Sequence, residues 1–228
     1  MCGRFTLAKD FEELTKRFNF HLPLSLPEYV PRYNIAPSQE ILAIVNLGNQ
    51  VQPVYFRWGF IPSWSKDKTI GNRMINARVE TVDQKPSFAY PLKSKRCLIP
   101  ADGFYEWKTQ NGIKIPQRIL LKDNDIFSFA GLWDSWTSLD GETIQSCTIL
   151  TTTANELIEK IHKRMPVILS HETEQVWLDT NISDIKELKP LLVPYPSDSM
   201  QLYEVSTMVN SPKNDTPECI IPEKNTLF

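Results

Sequence analysis

The sequence predicts an α+β fold. Three observations carry this. Alternating apolar runs bounded by turn residues recur along the chain and read as strands. The helical patterns between them are short and scattered. No regular strand–helix alternation appears, so a doubly wound parallel sheet is not expected. A length of 228 residues suits one domain of above-average size. No internal repeat or low-complexity linker divides the chain. One domain over residues 1–228 is therefore expected, with a flexible tail from about residue 210.

The elements follow in order. Residues Asp10 to Phe18 read as an amphipathic helix, with Phe11, Leu14 and Phe18 on one face and Asp10 with Glu13 as a capping box. A proline-bearing stretch from Pro23 to Pro37 reads as a long irregular connection, often a functional one. Ile41 to Val45 and Val51 to Phe56 read as strands joined at Gly48-Asn49. Trp58 to Trp64 is an aromatic loop. Leu98 to Trp107 is apolar but interrupted by Pro100 and Gly103. Asn111-Gly112 predicts a hairpin turn into Gln117–Leu121. Ile126 to Trp133 and Thr143 to Thr151 read as further strands. Thr153-Ala154-Asn155-Glu156 matches a capping box opening a helix towards His162, which Pro166 would stop. Short helices are expected over Glu172–Leu178 and Ile182–Leu188, and a late strand over Leu202–Val205.

Composition narrows the function classes. The formal net charge is −2, so bulk charge points to no nucleic-acid partner; an anion-binding surface would need local clustering. No apolar run approaches transmembrane length. Asp10, Glu12 and Glu13 interrupt any secretory apolar region near the start. Cys2, Cys97, Cys147 and Cys219 are widely spaced, with no C-x-x-C pair, so neither a zinc site nor a disulfide framework is expected. A cytoplasmic protein with reduced thiols follows. No metal or cofactor is called for.

Cys2 is the residue with the most chemistry. If Met1 is removed, Cys2 carries an α-amine with a pKa of about 8 beside a thiol of about 8.5. The amine can attack an aldehyde to give an imine, and the thiol can then close a thiazolidine. Three further segments embed polar residues in apolar surroundings: Ile75 to Thr81, Ala101 to Trp107 and His162 to Pro166. Singly, each has an ordinary reading. Asn76 and Arg78 fit a loop pair, Glu106 a solvated strand residue, and His162 a helix C-terminus. Together they supply proton transfer from Glu106 between two aromatics, a second acid or base in His162, orientation of Cys2 by Asn76, and anion contacts from Arg4, Arg78 and Arg164.

These segments, in this order and spacing, resemble the SOS-response-associated peptidase (SRAP) family of abasic-site processing proteins. Residues 32–37, 58–64, 205–206 and 209–214 match as well, so the resemblance covers nearly the whole chain. It implies antiparallel sheets forming a barrel-like core with short flanking helices. It also implies action on abasic sites in single-stranded DNA, where the open sugar presents an aldehyde. Cys2 takes the position of the nucleophile that forms a thiazolidine cross-link. Glu106 takes that of the carboxylate assisting sugar opening, and His162 that of the histidine assisting imine chemistry and reversal. Asn76 and Thr151 match supporting active-site positions. Arg4, Arg78 and Arg164 match backbone-gripping positions. Pro37 and Trp64 match a wedge at a single-strand/duplex junction, suited to sequence-blind stacking.

One departure is visible: Gln84-Lys85-Pro86 stands where some relatives carry an arginine. Lys85 can keep the charge but not a bidentate phosphate contact. The resemblance further implies a monomer in the cytoplasm, near a bacterial or phage nucleoid, with lyase-type Schiff-base chemistry and self-processing of Met1. Two other readings stay open. One is a cysteine peptidase or N-terminal-nucleophile amidohydrolase using Cys2 with His162 and Asn76. The other is a non-catalytic single-strand binder in which Cys2 plays no part.

Overall fold

The computed structural model describes residues 2–20, 27–48 and 50–223. Its core is a closed ring of five strands: β3 (Glu40–Leu47), β4 (Gln50–Trp58), β6 (Arg96–Ala101), β9 (Phe127–Thr137) and β10 (Thr143–Thr153). Hydrogen-bonded neighbours run β4–β3–β6–β9–β10, and β10 returns to β4. Directions cannot alternate at every step around an odd ring, so at least one pair must be parallel. That pair is β4–β10, with Cys147 opposite Trp58; the other four are antiparallel, in keeping with the expected barrel-like core. Ile44, Cys97, Ile99, Leu132, Cys147 and Ile149 are wholly or almost wholly buried in it.

A second sheet is antiparallel throughout. Its order is β13 (Met200–Glu204), β8 (Ile113–Leu121), β7 (Gly103–Gln110), β1 (Phe5–Leu7) and β2 (Arg32–Ile35). The chain passes from barrel to sheet at Asp102, between β6 and β7. There the carboxylate accepts from Thr6 Oγ1 at 2.6 Å and Ala8 N at 3.1 Å, and pairs with Arg118 at 3.4 Å. A Cβ on Gly103 would lie 2.8 Å from Arg118 Nε, so this corner needs glycine. Phe5 seats β1 on the barrel, with its ring edge-on to Trp58 at 5.3 Å and to Phe129 at 5.7 Å.

Two small strands extend the barrel sheet beside β10. They are β5 (Asn76–Arg78), parallel to it, and β11 (Arg164–Pro166), antiparallel. β12 (Ile168–Leu169) pairs with β9. Helices α1 (Phe11–Phe18), α2 (Pro86–Ser94), α3 (His171–Leu178) and α4 (Ile185–Leu188) lie outside. The capping box at α1 is present: Glu13 N donates to Asp10 Oδ1 at 2.8 Å and Asp10 N to Glu13 Oε2 at 3.0 Å. Asn111 and Gly112 both take positive φ, as a tight hairpin turn requires.

Three expectations are corrected. The stretch from Pro23 to Pro37 contains a strand, β2, and its part over 21–26 lies outside the described residues. No helix spans 153–162. Thr153 already pairs with Arg164, and Ala154 N donates to Lys163 O at 3.1 Å, so the intervening residues close one compact turn. Asn155 serves that turn, accepting from Ile158 N at 3.0 Å and donating to Tyr195 O at 2.7 Å. Beyond residue 210 the chain packs on the second sheet through Glu223 instead of leaving it: Cys219 is fully buried and Asp215 engages β2. Pro100 also sits within β6 without breaking it. It lies past the Leu98–Ile44 pair, where its missing N–H interrupts no ladder with β3.

Candidate active site

The four polar segments meet where β1, β5, β7 and the end of β10 come together. Phe5 pins β1, so Cys2 is held three residues away and is fully buried. β5 runs beside β10 with Asn76 opposite Ile149, and from there Asn76 Nδ2 donates to the Cys2 carbonyl at 2.8 Å. Asn76 Oδ1 is buried without a hydrogen-bond partner. Glu106 comes from β7, opposite Gln117, and is 5% exposed. Burial pushes its carboxyl above the usual carboxylate range, opposed by the charge of nearby His162. Burial likewise pushes the Cys2 thiol well up, and the Glu106 charge adds to the shift.

His162 stands at the end of the compact turn. Its Nδ1 lies 3.0 Å from both Arg164 N, which can donate to it, and Arg164 O, which can accept from it, so either ring tautomer finds a partner there. Thr151, fully buried at the end of β10, lies between Arg78 on β5 and Pro166 on β11. Arg164 Nη2 reaches its carbonyl oxygen, and its Oγ1 at 3.3 Å. Cys2, Asn76, Glu106, His162, Thr151 and Arg164 thus form one connected group. It brings a thiol, a buried carboxyl held above the usual carboxylate range and an imidazole together.

The remaining sequence-predicted residues are placed differently. Arg4 faces inward. Its Nη1 donates to Asn34 Oδ1 at 2.8 Å and Val209 O at 2.7 Å, and its guanidinium lies 5.9 Å from the Trp107 ring. Arg78 is exposed and carries no side-chain partner among the described residues. Trp64 is 60% exposed on the wall of a separate cavity of about 700 Å³, also lined by Lys66, Asn72 and Arg73. The loop of Pro37 reaches the same rim, because Ser38 Oγ contacts Asn72 at 3.4 Å. Lys85 is exposed just before α2, outside the connected group.

Three residues with structural roles here were given none by the sequence reading. Asn34 is fully buried and donates from Nδ2 to the carbonyls of Ser211 at 3.0 Å and Asn214 at 2.6 Å. Asp215 accepts from Tyr33 N at 2.5 Å and Asn34 N at 2.9 Å, and pairs with Arg32. Glu80 takes both guanidinium nitrogens of Arg164. Asn34 and Glu80 lie in segments whose motifs stand out, but nothing in a single sequence points to Asp215.

The barrel joined at one corner to an antiparallel sheet defines a structural class. A crystal structure of a protein from Bacteroides thetaiotaomicron shares it with a TM-score of 0.86 and 28% identity, covering 97% of this chain and 100% of that one. The family model described as SOS response associated peptidase (SRAP) matches residues 1–212, and the chain belongs to that family. It is 52% identical over 221 residues to the abasic site processing protein YoqW of Bacillus subtilis (strain 168), covering 96% of this chain and 99% of the relative. It is 35% identical over 190 residues to the abasic site processing protein HMCES of Gallus gallus, covering 73% of this chain and 56% of that protein.

Proposed function

We propose that this chain, once Met1 is removed, captures abasic sites in single-stranded DNA through Cys2. The observation that carries the reading is the hold of Asn76 on the Cys2 carbonyl, with Glu106 and His162 within electrostatic reach. The names of the relatives, abasic site processing proteins, point to the same lesion.

The chemistry balances without an oxidant. The neutral α-amine of Cys2 attacks the aldehyde carbon, and the adduct loses one water to form an imine. The thiol then adds to that carbon, its proton passing to nitrogen, and a five-membered thiazolidine closes. A carboxyl with a raised pKa can donate its proton to the departing hydroxyl, the part assigned to Glu106. His162 supplies the second proton site. Arg78 and Arg164 are assigned to the DNA backbone, Trp64 with Pro37 to stacking at a junction, and Lys85 to an outer contact. Arg4 is assigned to holding the Cys2 segment.

Intact mass under denaturing conditions tests the reading. Met1-processed protein is mixed with a single-stranded oligonucleotide bearing one abasic site. A DNA-sized mass gain is expected, and is expected to vanish with Cys2→Ala or with Met1 retained. No gain, with processed protein and intact oligonucleotide verified, would reject covalent capture and favour the amidohydrolase alternative.

A further inference from the structure

Glu80 pairs with Arg164, a side chain assigned above to the DNA backbone. Its carboxylate oxygens meet both terminal nitrogens of Arg164, Oε2 at 3.1 Å from Nη2. This two-point contact is the geometry by which a guanidinium also takes a phosphodiester. The two partners are unequally held. The Arg164 side chain is 14% exposed and anchored on Thr151, whereas that of Glu80 is 46% exposed. Arg78, exposed two positions before Glu80 in the chain, makes no side-chain hydrogen bond among the described residues, and its charge also favours the ionised Glu80 carboxylate.

We propose that Glu80 is an intramolecular stand-in for a DNA phosphate, occupying Arg164 until a phosphodiester displaces it. The proposal rests on the single-strand DNA reading above. The free protein keeps Arg164 ordered and neutralised beside the site, and DNA entry swings Glu80 into solvent. The competition lowers affinity for undamaged strands. It leaves the covalent step at Cys2 to decide retention.

The test is equilibrium binding of an undamaged oligothymidylate across a salt series, for wild type and Glu80→Gln, with thermal midpoints to confirm folding. Removing the competing charge is expected to tighten binding about two- to fivefold at low salt, the scale of one partly exposed ion pair. The slope of log K against log salt is expected to steepen by about 0.7, because one more phosphate contact is no longer offset by a released carboxylate. Unchanged affinity and slope would overturn the proposal while leaving the DNA reading intact. Weaker binding by folded Glu80→Gln would also overturn it, making Glu80 a support for Arg164. No binding by wild type and Glu80→Gln alike at any salt would overturn it, while the abasic-site mass measurement decides the DNA reading separately. Should Glu80→Gln unfold, Glu80→Asp shortens the reach to Arg164 and is expected to show the same direction of affinity change; no change there overturns the proposal.

Discussion

Glu106 owes its proton chemistry to its surroundings. On β7 it lies between the fully buried Tyr105 and the partly buried Trp107, and burial raises its carboxyl pKa. The folded state therefore holds its proton to higher pH than the unfolded chain does. This contribution to stability is full below the ordinary carboxylate pKa and is lost as pH rises through the raised folded value. Glu106→Gln removes the cost of a charged buried carboxylate. Its urea midpoint is expected to gain on wild type as pH rises from 4 to 8; parallel profiles would show that the carboxyl is not desolvated. The cross-linking rate of this variant is expected to fall, and to lose the decline expected of wild type as pH rises through the raised pKa of Glu106. A rate and pH profile like wild type would remove Glu106 from proton transfer.

At the scale of elements, the segment after Val205 behaves as a strap. Asp215 closes on β2, Asn34 binds carbonyls of residues 209, 211 and 214, and Arg4 joins both to the segment before β1 that carries Cys2. The family match ends at residue 212, so Asp215 lies just beyond it. Asp215→Ala is expected to destabilise by about 1.5–3 kcal/mol, the range for hydrogen bonds to a charged group. Urea unfolding measures it, and a loss below about 0.5 kcal/mol, typical of surface changes, would mean that water replaces the carboxylate without loss. Helix α1 was legible because its cap, apolar face and charges are local. The turn before His162 was not, because the same Thr-x-x-Glu pattern is overridden when β11 pairs back onto β10 within a few residues.

For the molecule as a whole, barrel and sheet depend on one charged joint. Asp102 and Arg118 are 5% and 6% exposed, and Arg118 also donates to Tyr203 on the far edge strand β13 at 2.8 Å. Asp102→Ala strands the buried guanidinium and is expected to cost about 3–5 kcal/mol. Arg118→Met in that background is expected to recover part of the loss, since no uncompensated charge remains. A double variant as unstable as the sum of the two singles would show that the pair is not coupled.

The sequence by itself determined the α+β class, the first helix, the hairpin at Asn111-Gly112 and the candidate chemistry of Cys2, Asn76, Glu106 and His162. Each depends on short-range pattern, or on residue types whose reactivity is intrinsic. Only the tertiary structure decided that five strands close a ring with one parallel pair, since closure is set by contacts between β4 and β10, some ninety residues apart. It also turned Arg4 inward to Asn34 and Val209 and paired Arg164 with Glu80. A long cationic side chain takes whichever acceptor the fold brings within reach, and which acceptor that is depends on residues distant in the chain.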